Sequence, residues 1–163
     1  MMNYLLVFII AMLPLIELRG AVPFAVGFHT ADPGFSMVLA YILIILGNML
    51  PVPFIYLFAR KVLEWGKDKP VIGGFFTWCL NKGEKGGKAL EEKAKNGLYV
   101  ALALFVGIPL PGTGAWTGML AASFLDMDFK KSTIAVLSGV LLAGIIMSII
   151  SFGGAGAIVA LLS

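Results

Sequence analysis

Long stretches of this 163-residue chain carry no charged side chain, among them Phe35 to Phe58, 24 residues, and Thr133 to Ser163, 31 residues. Each exceeds the roughly 18 apolar residues that signal a bilayer span. Composition points the same way. Hydrophobic residues make up 60% and Asp, Glu, Lys and Arg 13%, against roughly 45–50% and about 25% in soluble domains. Twelve basic and nine acidic residues cannot supply the charged shell that a soluble protein of this size needs. The fold class expected is all-α integral membrane, and nucleic-acid binding, secreted and cytosolic-enzyme roles are excluded. A single cysteine, Cys79, excludes a disulfide framework and a thiolate cluster. The single histidine, His29, leaves no zinc-hydrolase set. No metal or other cofactor is expected. Met1-Met2-Asn3-Tyr4 lacks the basic start of a signal peptide, so the first segment is expected to stay in the mature protein.

Charge fixes an orientation. Nine of the twelve Lys/Arg lie between Arg60 and Lys95 with five acids, a net of 9 − 5 = +4, while the rest sums to 3 − 4 = −1. Basic loops stay in the cytoplasm, which places residues 60–97 inside as a linker. Within it, Pro70 to Leu80 offers Phe75, Phe76, Trp78 and Leu80 to the headgroup plane, and Lys88 to Asn96 reads as a surface helix stopped by Gly97.

The parts on either side of this linker share an order of elements. Repeat one (1–59) reads as a broken apolar run over 2–28, an Asp-containing turn, and a span over 35–59. Repeat two (98–163) reads as a broken run over 98–125, a turn at Asp126–Asp128, and a span over 133–162. The breaks are Glu17-Leu18-Arg19-Gly20 and Pro109 to Gly114. Met1 to Ile16 as a helix is about 24 Å long, short of the roughly 30 Å hydrocarbon core. Backbone freed by a break cannot face lipid and must be buried or line a wet cavity. Each run is therefore a re-entrant hairpin or a kinked crossing helix. Hairpins keep Lys130 and Lys131 inside and put both termini outside, with the repeats in opposite orientation, as in inverted-repeat transporters.

Glu17 and Arg19 are the first candidates for chemistry, because ionisable groups at bilayer depth mark functional sites. Arg19 suits a phosphate or carboxylate, and Glu17 suits a coupling proton. At i and i+2 they leave a regular helix on different sides, so their pairing needs the break that Gly20 and Pro23 suggest. A salt bridge pinning a hairpin tip is the bland alternative. The second candidate is the run Pro109-Leu110-Pro111-Gly112-Thr113-Gly114-Ala115-Trp116-Thr117-Gly118. Its prolines and glycines make an unwound turn and a helix start whose free N–H groups suit an anion. Gly112 and Gly114 amides and the Thr113 and Thr117 hydroxyls are the expected contacts, and close helix packing is the alternative use of the glycines. Gly47-Asn48 with Pro51 and Pro53 kinks the first span, where Asn48 could bond a hairpin tip. His29 near Asp32 reads as interfacial, and the aspartates of the turns as helix caps.

At Glu17 to Pro23 and at Pro109 to Gly118 the sequence resembles the bacterial and archaeal family of small multi-drug export proteins, over nearly the whole chain. It is more distantly similar to the DedA (VTT-domain) superfamily. The first resemblance implies efflux of small molecules. The second implies two re-entrant hairpins, movement of lipids such as undecaprenyl phosphate, and dependence on the proton gradient, with Glu17 and Arg19 matching its acidic and arginine pattern. The second break departs from that pattern in having no arginine.

The expectation is a non-enzymatic, proton-linked transporter of an anionic amphiphile or lipid phosphate in a prokaryotic cell membrane. Arg19, Gly112, Thr113, Gly114 and Thr117 bind substrate and Glu17 couples protons, with Gly20, Pro23, Asn48, Pro109, Pro111 and Trp116 in support. Its partners are membrane lipids, protons and a second copy in a homodimer. The alternatives are a proton-coupled multidrug exporter, with Glu17 and Trp116 facing a cation, and an intramembrane enzyme, for which the acids are too scattered.

Overall fold

The structure is a computed structural model that describes residues 1–59, 61, 65–70, 73–74, 77–78, 81, 85 and 97–162. Every regular element among the described residues is helical. The expected surface helix at 88–96 and half of the Pro70–Leu80 segment lie outside them.

In the first half, α1 (Met2–Met12) and α2 (Glu17–Ala31) are joined by four residues and followed by α3 (Met37–Met49). A short α4 (Val52–Phe54) and a π-helical turn (Ile55–Ala59) extend that span. The second half holds α5 (Leu98–Gly107), α6 (Ala115–Phe124) and the long α7 (Phe129–Leu162). At 1.5 Å per residue, α1, α2, α5 and α6 run about 15–22 Å, and none reaches across a roughly 30 Å core. Met37–Phe58 and Phe129–Gly154 are long and apolar enough to do so, with mean hydropathies of 2.2 and 2.5.

α1 and α2 pack on each other and on α3, and their far ends meet. Tyr4 of α1 stacks on Phe35 at 4.4 Å, Phe28 of α2 tilts against the same ring at 5.8 Å, and the Tyr4 hydroxyl accepts from the Ser36 amide. α5 and α6 fold back in the same way: the Tyr99 hydroxyl near the start of α5 accepts from the Asp128 amide just past α6. Each of these acceptors holds the residue that caps the next helix. Ser36 Oγ accepts from Leu39 N, and Asp128 Oδ1 from Lys131 N, an arrangement that satisfies a first-turn amide of α3 and of α7.

The two open ends lie at opposite ends of the molecule. Tyr4, Phe28 and Phe35 lie at the start of α3, whereas Tyr56 at its far end packs on Phe129 and donates to Met127 O. α7 returns the other way, so that Ser148 hydrogen-bonds Tyr41 near the start of α3. α2 packs on α7, and α6 packs on the π-helical turn, where Ser123 Oγ donates to Tyr56 O.

The packing has the character of a membrane protein. The inward face of α7 is small (Ala135, Val136, Val140, Ala143), while Ile134, Leu141, Ile145 and Ile149 face outward and are exposed. Without a hydrophobic drive between helices, small residues set the contacts and bulky ones meet lipid. α2 buries one stripe at helical spacing, Leu18, Ala21, Val22, Ala25 and Val26, and leaves Pro23 and Phe24 exposed.

The structure moves some boundaries. The first break is Leu13–Ile16, and Glu17 to Gly20 form the first turn of α2. Pro23 does not end α2; at the exposed face it removes only its own N–H, and the helix runs on to Ala31, past the expected end at 28. α7 starts at Phe129, four residues before the expected 133, because Asp128 caps it. The kink in the first span falls at Leu50-Pro51, as the prolines suggest, and closes in the π-helical turn.

Candidate functional site: the junction of the two breaks

The turn between α1 and α2 strains its own backbone. Leu15 has φ +74° and Glu17 φ +50°, a left-handed conformation that costs a non-glycine residue on the order of 1–3 kcal/mol. This geometry turns the Glu17 side chain away from its own half. It is 4% exposed, and its carboxylate accepts from Ala115 N at 3.1 Å and Trp116 N at 3.0 Å. These are the first amides of α6, which have no partner within that helix. The positive end of a helix favours a negative group there. Gly114, the N-cap, has no side chain to do this work, and Glu17 caps α6 from the other half of the protein.

Gly114 is what allows the approach. Its φ is +139°, a conformation that side chains rarely adopt, and a β-carbon there would fall on the Glu17 carboxylate.

Arg19, two residues further along and half-buried, meets the complementary need. Unwinding between α5 and α6 frees carbonyl groups, and the guanidinium donates to Leu110 O, Thr113 O and Thr113 Oγ1, the last at 2.6 Å. Thr113 Oγ1 lies within hydrogen-bond distance of Ile108 O and Leu110 O, each at 2.9 Å. The debt runs in the other direction as well: Trp116 Nε1 donates to Met12 O, a last-turn carbonyl of α1, at 3.2 Å. Each break is thus satisfied by the other.

The expected site residues fall into two groups. Glu17, Arg19, Thr113, Gly114 and Trp116 converge at the junction, and Pro109, Pro111 and Gly112 shape the unwound segment, Gly112 with φ +86°. Gly20 packs beneath the turn against Ile16, and Pro23 faces outward. Thr117 is half-buried and takes no part in these bonds. Asn48 lines the same small cavity as Glu17 and Arg19 without a hydrogen bond to a hairpin tip.

Two features stand beside the expected ones. Glu17 and Arg19 are held by the opposite half's backbone, whose bare donors and acceptors they satisfy. The amides that hold the Glu17 carboxylate are those of Ala115 and Trp116, which follow Gly112 and Gly114 in the chain. In a helix the free N–H groups belong to the residues after the N-cap, a rule that could have pointed to Ala115 from sequence. His29 Nδ1 lies 2.8 Å from Phe35 O at the open end of the first helix pair, far along α2 from Glu17.

Among the described residues no group of three His, Cys, Asp or Glu is placed to hold a metal ion. The junction instead offers a helix end that holds a carboxylate, a guanidinium beside it, and the polar side chains of Thr113 and Asn48.

No curated protein and no solved structure matches this chain. One family does, over residues 17–146, under the description "Putative small multi-drug export protein". The matched region begins at Glu17, just past the first break, and takes in the second break and most of the two long apolar helices. It bears on the first of the two resemblances and carries no statement about the DedA superfamily. With its two spans and its paired breaks, the chain belongs to the small multi-drug export protein family of membrane proteins.

Proposed function

We propose that this protein is a proton-linked membrane carrier for an anionic amphiphile, of the class of a lipid phosphate, and that Glu17 is a tethered occupant of its anion site. One observation carries the reading: a carboxylate supplied by the protein sits on the first amides of α6, with the Arg19 guanidinium beside it. A helix end that accepts a carboxylate also accepts a phosphate. Protonation removes the charge for which α6 competes, and Glu17 then gives up Ala115 N and Trp116 N. An incoming phosphate takes those amides and exchanges the Thr113 and Leu110 carbonyls for itself on Arg19, whose planar fork fits two oxygens. Loss of the proton returns Glu17 and expels the anion. The Glu17 carboxylate and the anion are therefore alternatives at the same helix end, and proton and anion are taken up and released together.

In this reading α1–α2 and α5–α6 are re-entrant hairpins that enter from opposite faces, and the halves are inverted repeats. The folded-back ends at Phe35 and Asp128, on opposite ends of the molecule, support it. The matching tyrosine-to-cap bonds support it too. With residues 60–97 in the cytoplasm of a prokaryotic cell, Lys130 and Lys131 join them there and both termini lie outside. A homodimer would cover part of the exposed apolar surface.

The family's printed description favours a second reading, export of small drugs. A cation would draw on Glu17 and Trp116, which meet through the Trp116 main-chain amide with its indole N–H on Met12 O, and Arg19 alongside opposes one. Reconstitution into vesicles with a pH gradient separates the two. A polyprenyl phosphate is expected to move with the gradient and a quaternary-amine dye not to. Glu17→Gln should abolish gradient dependence, and Arg19→Ala should weaken binding of the phosphate by about tenfold or more, as expected for loss of a charge-assisted pair. Full gradient-driven transport in both variants would overturn the assignment.

A further inference from the structure

A third polar group is buried at the junction, and neither break uses it. Asn48 lies on the inward stripe of α3 with Ala40, Ile44 and Gly47, is 2% exposed, and its Oδ1 has no hydrogen-bond partner among the described residues. An unmet buried acceptor costs about 1–3 kcal/mol, more than an apolar span need bear for packing alone. Asn48 borders a cavity shared with Glu17, Arg19, Gly114 and Ala115 and closed by Val140 and Ala143 of α7. The space open to a water-sized sphere is about 10 Å³, close to what one water requires. Of the side chains around it, only Glu17 and Arg19 carry charge; α5, α6 and α7 contribute apolar groups and backbone.

We propose that this cavity is a one-water site linking Asn48 Oδ1 to Glu17, and that Asn48 is the positioning residue for the proton on that carboxyl. The role given to the proton rests on the carrier reading above; the water site does not. When Glu17 is ionised, its carboxylate and Asn48 Oδ1 are both acceptors, and these oxygens cannot bond each other directly. A carboxylate has about four acceptor positions, of which Ala115 N and Trp116 N take two. One water has two O–H groups, one for Asn48 Oδ1 and one for the carboxylate. When Glu17 takes a proton, its O–H donates to the water oxygen, and the water still donates to Asn48. A single bond reverses, Asn48 Oδ1 keeps its donor, and only one water O–H is released. Arg19 has five N–H donors, three of them engaged with Leu110 and Thr113, and a remaining one can supply the third bond typical of buried water. Asn48 thereby offers Glu17 a place to rest once it has left α6.

Infrared difference spectra between acidic and alkaline pH, recorded on the full-length protein in lipid nanodiscs in ordinary and ¹⁸O-labelled water, test this. The expected result is an O–H stretch that shifts with ¹⁸O and accompanies the Glu17 carboxyl band, itself identified by its loss in Glu17→Gln. Asn48→Leu, of similar size without an acceptor, should remove the water band and move the carboxyl band. Asn48→Ser, which keeps a small acceptor, should shift the water band without removing it. No ¹⁸O-sensitive band in the unaltered protein overturns the proposal. So does a band unchanged in Asn48→Ser, which serves as the test if Asn48→Leu does not fold. Gradient-driven transport without the band would sink this inference alone. The band without gradient-driven transport would sink the carrier reading and leave the water site standing.

Discussion

The two breaks are built from opposite materials. The first is four residues long, Leu13–Ile16, and the next helix opens with Glu17-Leu18-Arg19-Gly20. The second is seven residues long, Ile108–Gly114, and the next helix opens with Ala115-Trp116-Thr117-Gly118. Counted from the helix start, Glu17 corresponds to Ala115, Arg19 to Thr117 and Gly20 to Gly118. One break brings two charges with little loose backbone, and the other brings loose backbone with no charge. Their difference is what lets them join: the carboxylate finds amides and the guanidinium finds carbonyls. A buried ionisable residue therefore need not be paired with another. Unwound backbone of opposite need can serve as its partner, where each buried group left unsatisfied costs about 1–3 kcal/mol.

The largest effect should come from taking the charge away. Glu17→Ala strands Ala115 N and Trp116 N together, and at about 1.5–3 kcal/mol for each bond to a charged group the loss is about 3–6 kcal/mol. Glu17→Gln keeps one acceptor and should lose roughly half. Thermal unfolding in detergent, with both variants side by side, checks the ratio; equal stability of Glu17→Ala and the unaltered protein would show that the junction holds nothing together.

A middle effect is expected at the second break. Gly114→Ala puts a β-carbon where the Glu17 carboxylate lies and forces φ +139° on a side-chain residue, a strain of about 1–3 kcal/mol before any displacement. Gly112→Ala, at φ +86° but away from the carboxylate, should carry the strain alone. If the two variants unfold at the same temperature, the approach of Glu17 is not what Gly114 is for.

The smallest effect tests the return bond. Trp116→Phe removes the Nε1–H donated to Met12 O, worth about 0.5–1.5 kcal/mol, together with part of the ring packed on the core. A double-mutant cycle with Glu17→Gln sharpens the comparison: both bonds hold the same turn of α6, so the two losses should not simply add.

Much of the fold is legible in the sequence because it follows from composition over long windows. The uncharged stretches at 35–58 and 133–163 mark the two long helices, and Pro109 to Gly114 marks the second break. The first break is less legible. Glu17-Leu18-Arg19-Gly20 reads as an interruption because charges and a glycine disfavour a helix in lipid, yet the chain breaks at Leu13–Ile16, where only Pro14 gives warning. Glu17 and Arg19 can start α2 because partners from α6 and the preceding loop neutralise their cost, and no local pattern reveals partners about ninety residues away. Asn48 marks a second limit. A single amide in an apolar span is visible, but whether it faces lipid, a hairpin tip or a cavity depends on how α3 rotates against α2 and α7.

By itself the sequence determined that this chain lives in a bilayer, where its long spans lie, that two shorter runs are broken, and which ionisable pair sits among them. These follow from the cost of charge and of bare backbone in hydrocarbon, which depends on residue type alone. Only the tertiary structure decided that Glu17 caps α6, that Arg19 closes the unwound carbonyls, and that Asn48 shares their cavity. Hydrogen bonds require particular atoms about 3 Å apart, and it is the folding-together of two distant segments that sets such distances.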